Sequence, residues 1–279
     1  MAGESVGADV MERRPEGVHG DLAAWLEANL LSGAAPAAGE IAPFPPEELM
    51  YNTTGLRSPC DFASHGVDFM RALHRVSPVP LTACGAILDF GVGVGRLARL
   101  FHGFRGRYVG MDVDPRHLAW VRDHLSHVEA VESTPRARLP AAGGSFDAVV
   151  SISVFSHLSE PDHLFYLKEL NRVARPGAVL LLSVHGERAL ARALEEEHIF
   201  EMLAVPRPAL EQAAGEMTAE NGHAFILQSG HLTSDAYQYG IAFVCESYIR
   251  REWGRWFEVV EVAQGALHDF QDIVVLRAR

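Results

Sequence analysis

The stretch Ile87-Leu88-Asp89-Phe90-Gly91-Val92-Gly93-Val94-Gly95-Arg96 decides the fold. An apolar run closes on a carboxylate, glycines follow at alternate positions, and a helical pattern is expected to begin at Arg96. Strand, tight glycine turn and helix N-terminus make a small-ligand site at the carboxyl edge of a parallel sheet. Glycine suits such a turn because a side chain there would block a ligand or demand a positive φ. The spacing separates two kinds of ligand. A dinucleotide fingerprint, G-x-G-x-x-G, would put its last glycine where this chain has Arg96, and Gly95 arrives one residue early.

Outward from this stretch, short apolar runs alternate with amphipathic ones. Ala86–Phe90 reads as the first strand, 96–101 as the opening of a helix, and 108–112 as the second strand. A helix over 115–126 follows, with Pro115 in the first turn, where its missing N–H costs nothing. Val128–Glu132 and 146–153 are the third and fourth strands, Glu160–Val173 a helix, Arg175-Pro176-Gly177 a turn, and 178–184 the fifth strand. Such alternation implies a parallel sheet with helices on both faces. Two late runs, 256–263 and 271–276, are close enough to form an antiparallel pair at the sheet edge. Between them and strand five lies a long insertion, 186–246. It is expected to hold helices at 187–199 and 208–216, then a less regular region with Phe225, His231, Tyr237 and Tyr239. Insertions of this kind often shape a substrate site.

Upstream, residues 1–17 read as loose, 21–31 as a short helix and 33–46 as an Ala/Pro/Gly linker. Residues 46–76 read as helical with a break over 52–59, which puts Met50, Tyr51 and Phe62 either in a lid or in ordinary packing. The expected organisation is an N-terminal segment over 1–45 and one domain over 46–279, with 186–246 as its substrate cap.

The second strand ends on Asp112, 23 residues after Asp89. A carboxylate at that strand end can accept hydrogen bonds from both hydroxyls of a ribose, while Asp114 before Pro115 is the better helix cap. Then come Leu139-Pro140, Gly144-Ser145-Phe146-Asp147-Ala148-Val149-Val150, Ser153-Val154-Phe155-Ser156-His157-Leu158 and Arg175-Pro176-Gly177-Ala178. With the acidic-x-G-x-G-x-G run before them, these motifs, in this order, resemble the class I S-adenosylmethionine (SAM) dependent methyltransferases of small molecules. The resemblance is close over 81–186 and looser over 248–279.

That resemblance implies an α/β fold with a Rossmann-like, seven-stranded, mostly parallel sheet whose last strand is antiparallel. An N-terminal helical lid and a cap insertion after strand five are expected to complete the fold. Asp89, Gly91, Gly93 and Gly95 would form the loop under the methionine and ribose portion of SAM. Asp112 would hold the ribose, Val113 would lie against the adenine, and Ser153 and Phe155 would line the methionine end. Asp147 reads as a structural turn residue. One position departs: many relatives receive the adenine amino group on an acidic residue after strand three, but here Glu132 is followed by Ser133-Thr134-Pro135. Adenine recognition would fall to Ser133, Thr134 or a backbone group.

Methyl transfer from a sulfonium needs mainly alignment and exclusion of water, because the leaving group is already good. An oxygen acceptor also needs its proton removed, and histidine suits that near neutral pH. Of the 14 histidines, His157 and His185 follow strands four and five at the ligand-binding edge and are the leading candidates. His231, Tyr237 and Tyr239 in the insertion are the next. His117, His124 and His127 are expected to be solvated. The expected activity is methyl transfer from SAM, yielding S-adenosylhomocysteine, to an oxygen or nitrogen of a small molecule, in secondary metabolism. The rivals are a peptide or protein methyltransferase and a SAM-binding protein without catalysis.

Composition narrows the partners. A net charge of −12 argues against nucleic acid, whose binders carry a basic face that displaces counterions. Cys60, Cys84 and Cys245 form no C-x-x-C pair and fit a reducing compartment, so a cytoplasmic location is expected. No metal-binding pattern appears, the apolar runs are too short to span a bilayer, and the N-terminus does not read as a signal peptide. A monomer or homodimer is expected.

Overall fold

The computed structural model describes residues 43–102, 104–218, 220–228 and 238–279. The expected helix over 21–31, and with it His231 and Tyr237, lies outside the described residues. Two compact units divide the chain. One runs to Ser133 and takes in Phe146–Ala148; the other holds Thr134–Ser145 and Val149–Arg279.

In the first unit, α1 (Glu47–Thr54) and α2 (Pro59–Val76) come before the sheet. The break between them is local chemistry. Gly55, at φ 71°, turns the chain left-handed at the end of α1, and Ser58 caps α2 by accepting from the Asp61 N–H, with Pro59 in the first turn. The strands are β1 (Ala86–Phe90), β2 (Arg107–Asp112) and β3 (Val128–Glu132), and their order is β3-β2-β1-β4, β4 (Phe146–Ser151) contributing its first half here. β1 pairs in parallel with β2, and β2 with β3. Every residue of β1 is buried, as a parallel strand covered on both faces requires. Asp147, read as structural, accepts the Ala86 N–H at 2.8 Å and so anchors the start of β1. Helix α3 (Pro115–His124) begins at an Asp114 cap, as expected.

The helix expected at 96–101 is absent; Ala98–Phe101 forms a single 3-10 turn. Gly95 is left-handed at φ 78°, which takes the backbone out of the right-handed helical region just where the helix would begin.

In the second unit, the rest of β4 leads through α4 (Glu160–Val173) to β5 (Ala174–His185). β9 (Gln271–Ala278) runs antiparallel beside β5 from Val179↔Arg277 to His185↔Gln271, and β8 (Phe257–Leu267) runs antiparallel to β9. The insertion contributes α5 (Glu187–Glu195), α6 (Glu197–Leu203) and α7 (Arg207–Glu216), and α8 (Glu246–Glu252) follows it. Where an irregular region was expected, β6 (His223–Leu227) and β7 (Gly240–Val244) pair antiparallel, and β7 joins the end of β5 at His185↔Phe243. Among the described residues the sheet strands therefore number nine, two more than the expected seven. The insertion has its own core: Leu190, Ile199, Leu203, Leu210, Ile226 and Phe243 pack in one buried cluster. Burial of that cluster is what holds the hairpin, since a lone hairpin is marginal in water.

Candidate functional site

In the first unit the glycine loop hangs between β1 and β2. Gly91 and Val92 both donate their N–H groups to the Met111 carbonyl, at 2.8 and 3.0 Å. Gly91, Gly93 and Gly95 all have positive φ, at 86°, 53° and 78°. Gly95 is fixed by packing as well: a Cβ there would stand 2.3 Å from Leu125 Cδ1. At Gly93 a Cβ would stand 3.2 Å from Thr53 Cγ2 of α1. The N-terminal helices thus pack on the loop. Met50 and Phe62 are buried in a cluster with Val94, joined by Trp120, whereas Tyr51 is exposed beneath the Arg57 guanidinium. Of the three residues expected as lid or packing, two pack.

Asp112 is the keystone of this half. Its Oδ2 accepts the Gly93 N–H at 2.8 Å and its Oδ1 accepts the Asp114 N–H at 2.9 Å. An ionised carboxylate has about four acceptor positions, so roughly two remain for ligand hydroxyls. Asp89 lies deeper, 4% exposed, and accepts from the Tyr108 hydroxyl at 2.9 Å. Burial pushes its carboxyl up to about 7; the Asp112 charge adds to this, and the Tyr108 hydrogen bond and Arg96 oppose it. Ser133 is buried, its N–H bonded to the Asp112 carbonyl, and Val113 is half-buried. The histidines expected in solvent are not there. His117 is 8% exposed beside Asp112, His124 stacks on Trp120, and His127 Nε2 bonds the Ala98 carbonyl. Only the His127 contact comes from a segment distant in sequence; those of His117 and His124 are with Asp112 and Trp120, five and four residues away.

No α-helix follows the loop, so no helix N-terminus is offered there to a phosphate. What the loop does offer is close backbone approach beside two carboxylates, a setting that favours a ligand with hydroxyls and positive charge over a pyrophosphate.

In the second unit, Ser153 follows β4 in the left-handed region at φ 60°, which costs a serine roughly 1 kcal/mol or more. Phe155 turns inward: it is fully buried against the rings of His163 and Trp253, so its ring is a packing group. His157 is half-buried and stacked on Tyr239 at 4.7 Å. Its Nδ1 lies 2.8 Å from the Gly240 carbonyl oxygen, to which it donates, and this leaves the lone pair on Nε2. His185 sits 6.1 Å from the His157 ring and between the rings of Phe243 and Phe270. Burial, and then the His157 charge, pushes it down to about 3, which makes it a weak base at neutral pH. Gln271, which the sequence reading missed, contacts Ser153, Ser183 and His185. Only its place at the start of the last strand hinted at it. Among the described residues, no group of three His, Cys, Asp or Glu side chains is arranged to hold a metal ion, and no helix is long and apolar enough to cross a membrane.

Comparison with known proteins covers the glycine loop and the strands that follow it. Residues 88–182 match a family model described as a methyltransferase domain. Over 122 residues the chain is 34% identical to a probable S-adenosylmethionine-dependent methyltransferase of Mycolicibacterium smegmatis, covering 44% of each chain. Over 108 residues it is 34% identical to trans-aconitate 2-methyltransferase of Azoarcus sp., covering 38% of this chain and 41% of that one. The chain thus spans less than half the length of these curated relatives. Among solved structures, the PH0226 protein of Pyrococcus horikoshii shares the fold at 15% identity, with a TM-score of 0.56 over 78% of this chain and 92% of that one.

Proposed function

We propose that the chain is a class I SAM-dependent methyltransferase, a reading supported by the methyltransferase-domain match over 88–182 and the Mycolicibacterium relative, and that it transfers a methyl group from SAM to an oxygen or nitrogen of a small molecule, in secondary metabolism. The observation that carries the reading is the left-handed glycine loop tied by its Gly93 N–H to Asp112, with acceptor positions left on that carboxylate and no α-helix behind it. The residues present fit the cofactor. Asp112 would hold the ribose, Val113 and Ser133 would face the adenine, and Gly91, Gly93 and Gly95 would lie under the methionine and ribose portion. Asp89 beneath the loop favours a cation when ionised. Ser153 and the backbone at Phe155 are assigned to the methionine end. SAM supplies a methyl group on a positively charged sulfonium, an electrophile with a good leaving group.

On the acceptor side, His157 is the proposed base. Its Nδ1–H is committed to the Gly240 carbonyl, so Nε2 is the nitrogen able to take a proton from a hydroxyl. His185 is assigned to support of the His157 ring, and His231 stays a further acceptor-side assignment made on sequence grounds. The name of the Azoarcus relative supports a small acceptor, since trans-aconitate is a small acid. The test is release of S-adenosylhomocysteine with a panel of small carboxylates, phenols and amines. Turnover with one of them, lowered at least about a hundredfold by His157→Gln, is the expected result. Binding of SAM without turnover on any small molecule, or turnover only on peptides, would overturn this reading.

A further inference from the structure

Gln271 joins three segments of the second unit through one side chain. Ser153, just past β4, holds a left-handed φ of 60° that a serine seldom adopts unless its surroundings impose it. Those surroundings are a closed ring of hydrogen bonds. The Ser153 N–H donates to Ser183 Oγ at 2.7 Å, Ser183 Oγ donates to Gln271 Oε1 at 2.7 Å, and Gln271 Nε2 donates to Ser153 Oγ at 3.0 Å. The ring needs one group that accepts from β5 and donates to the β4 loop at once, and an amide does both. Gln271 Nε2 also lies 3.5 Å from His185 Nε2, and the backbone register sets Gln271 directly opposite His185. Ser183 is fully buried, so losing the amide would leave its hydroxyl without water to turn to.

We propose that Gln271 is a positioning residue, clamping Ser153 in its left-handed conformation and so setting the loop that follows β4, at the strand edge where open α/β sheets take their ligands. This rests on the reading above that the loop meets SAM. Gln271 acts through Ser153, and the strain at Ser153 is the mark of its action. Backbone strain that a network of side chains must hold is characteristic of functional loops, and here the network comes from the last strand of the chain.

The test is a mutant cycle read by titration calorimetry with S-adenosylhomocysteine. Gln271→Met keeps the length of the side chain and removes both hydrogen bonds. In the wild-type background it is expected to weaken binding about tenfold. Glycine visits the left-handed region freely, so in the Ser153→Gly background the loop no longer needs the clamp and the same change should cost less than about threefold. Equal losses in the two backgrounds would mean that Gln271 is ordinary packing, and no loss in either would mean that it holds nothing; both overturn the proposal. If Gln271→Met does not fold, Ser183→Ala breaks the ring at its other member and is read in the same two backgrounds by the same criterion. A wild-type protein that does not bind S-adenosylhomocysteine overturns the SAM reading and this inference with it. Wild-type binding with an indifferent Gln271 overturns this inference alone.

Discussion

Asp112 spends two of its acceptor positions on the protein, on the Gly93 and Asp114 N–H groups, before any ligand arrives. It was legible in the sequence as a carboxylate at a strand end, but its structural duty to the glycine loop was not, because that bond joins residues 19 apart. The two duties predict a double effect. Asp112→Ala should lower stability by about 2 kcal/mol, the worth of a hydrogen bond to a charged group, read by denaturant unfolding. It should also remove measurable binding of S-adenosylhomocysteine; a variant that loses stability but keeps full affinity would detach Asp112 from the ribose. The same contrast separates His157 from His185. Both stand where sequence position places a candidate base; burial pushes His185 down to about 3, and burial is not written in the local sequence.

At the scale of elements, the strands were legible because parallel strands buried on both faces read as apolar runs. β1, β3 and α4 occupy the residues expected of them. The α-helix expected after the glycines was not formed, and its absence turned the loop from an anion site into a backbone cradle. β6 and β7 were missed because short apolar runs in an insertion look alike whether they pair or pack. Gly186, at the start of the insertion, is another position set by a distant element: a Cβ there would stand 1.8 Å from Asp272 Oδ2 of β9. Its φ of −89° is ordinary, so the constraint is one of space alone. Gly186→Ala is therefore expected to destabilise by roughly 1–3 kcal/mol, as overpacking does. Adding Asp272→Ala should recover part of the loss in thermal unfolding. A double variant as unstable as the sum of the single ones would rule out this contact as the cause.

Over the whole molecule, buried titrating groups make stability depend on pH. Burial pushes His223 down to about 4 and His185 to about 3, and holds His163 well below its usual range. An unfolded histidine titrates near 6.5, so between that pH and the folded values the unfolded chain binds more protons and stability falls as pH falls. Asp89 and Asp272, raised by burial to about 7 and about 6, act in the opposite sense and lose their contribution as pH rises through those values. Replacing His223 by Gln isolates one histidine. The fall in stability from pH 6.5 to pH 4 should shrink by up to about 3 kcal/mol, at about 1.4 kcal/mol per unit, and an unchanged slope would show that His223 is not held neutral.

The substrate is the least legible part of the chain, because the insertion carries no motif that names a ligand, whereas the glycine loop carries the cofactor motif. Whether that loop takes a sulfonium nucleoside or a dinucleotide is decided by calorimetric titration of the protein with SAM, S-adenosylhomocysteine and NAD, repeated on Asp112→Ala. Saturable one-site binding of SAM and its demethylated product, no heat with NAD, and loss of both signals in the variant are the expected results. Binding of NAD without binding of either sulfur nucleoside would contradict the assignment of this chain's ligand.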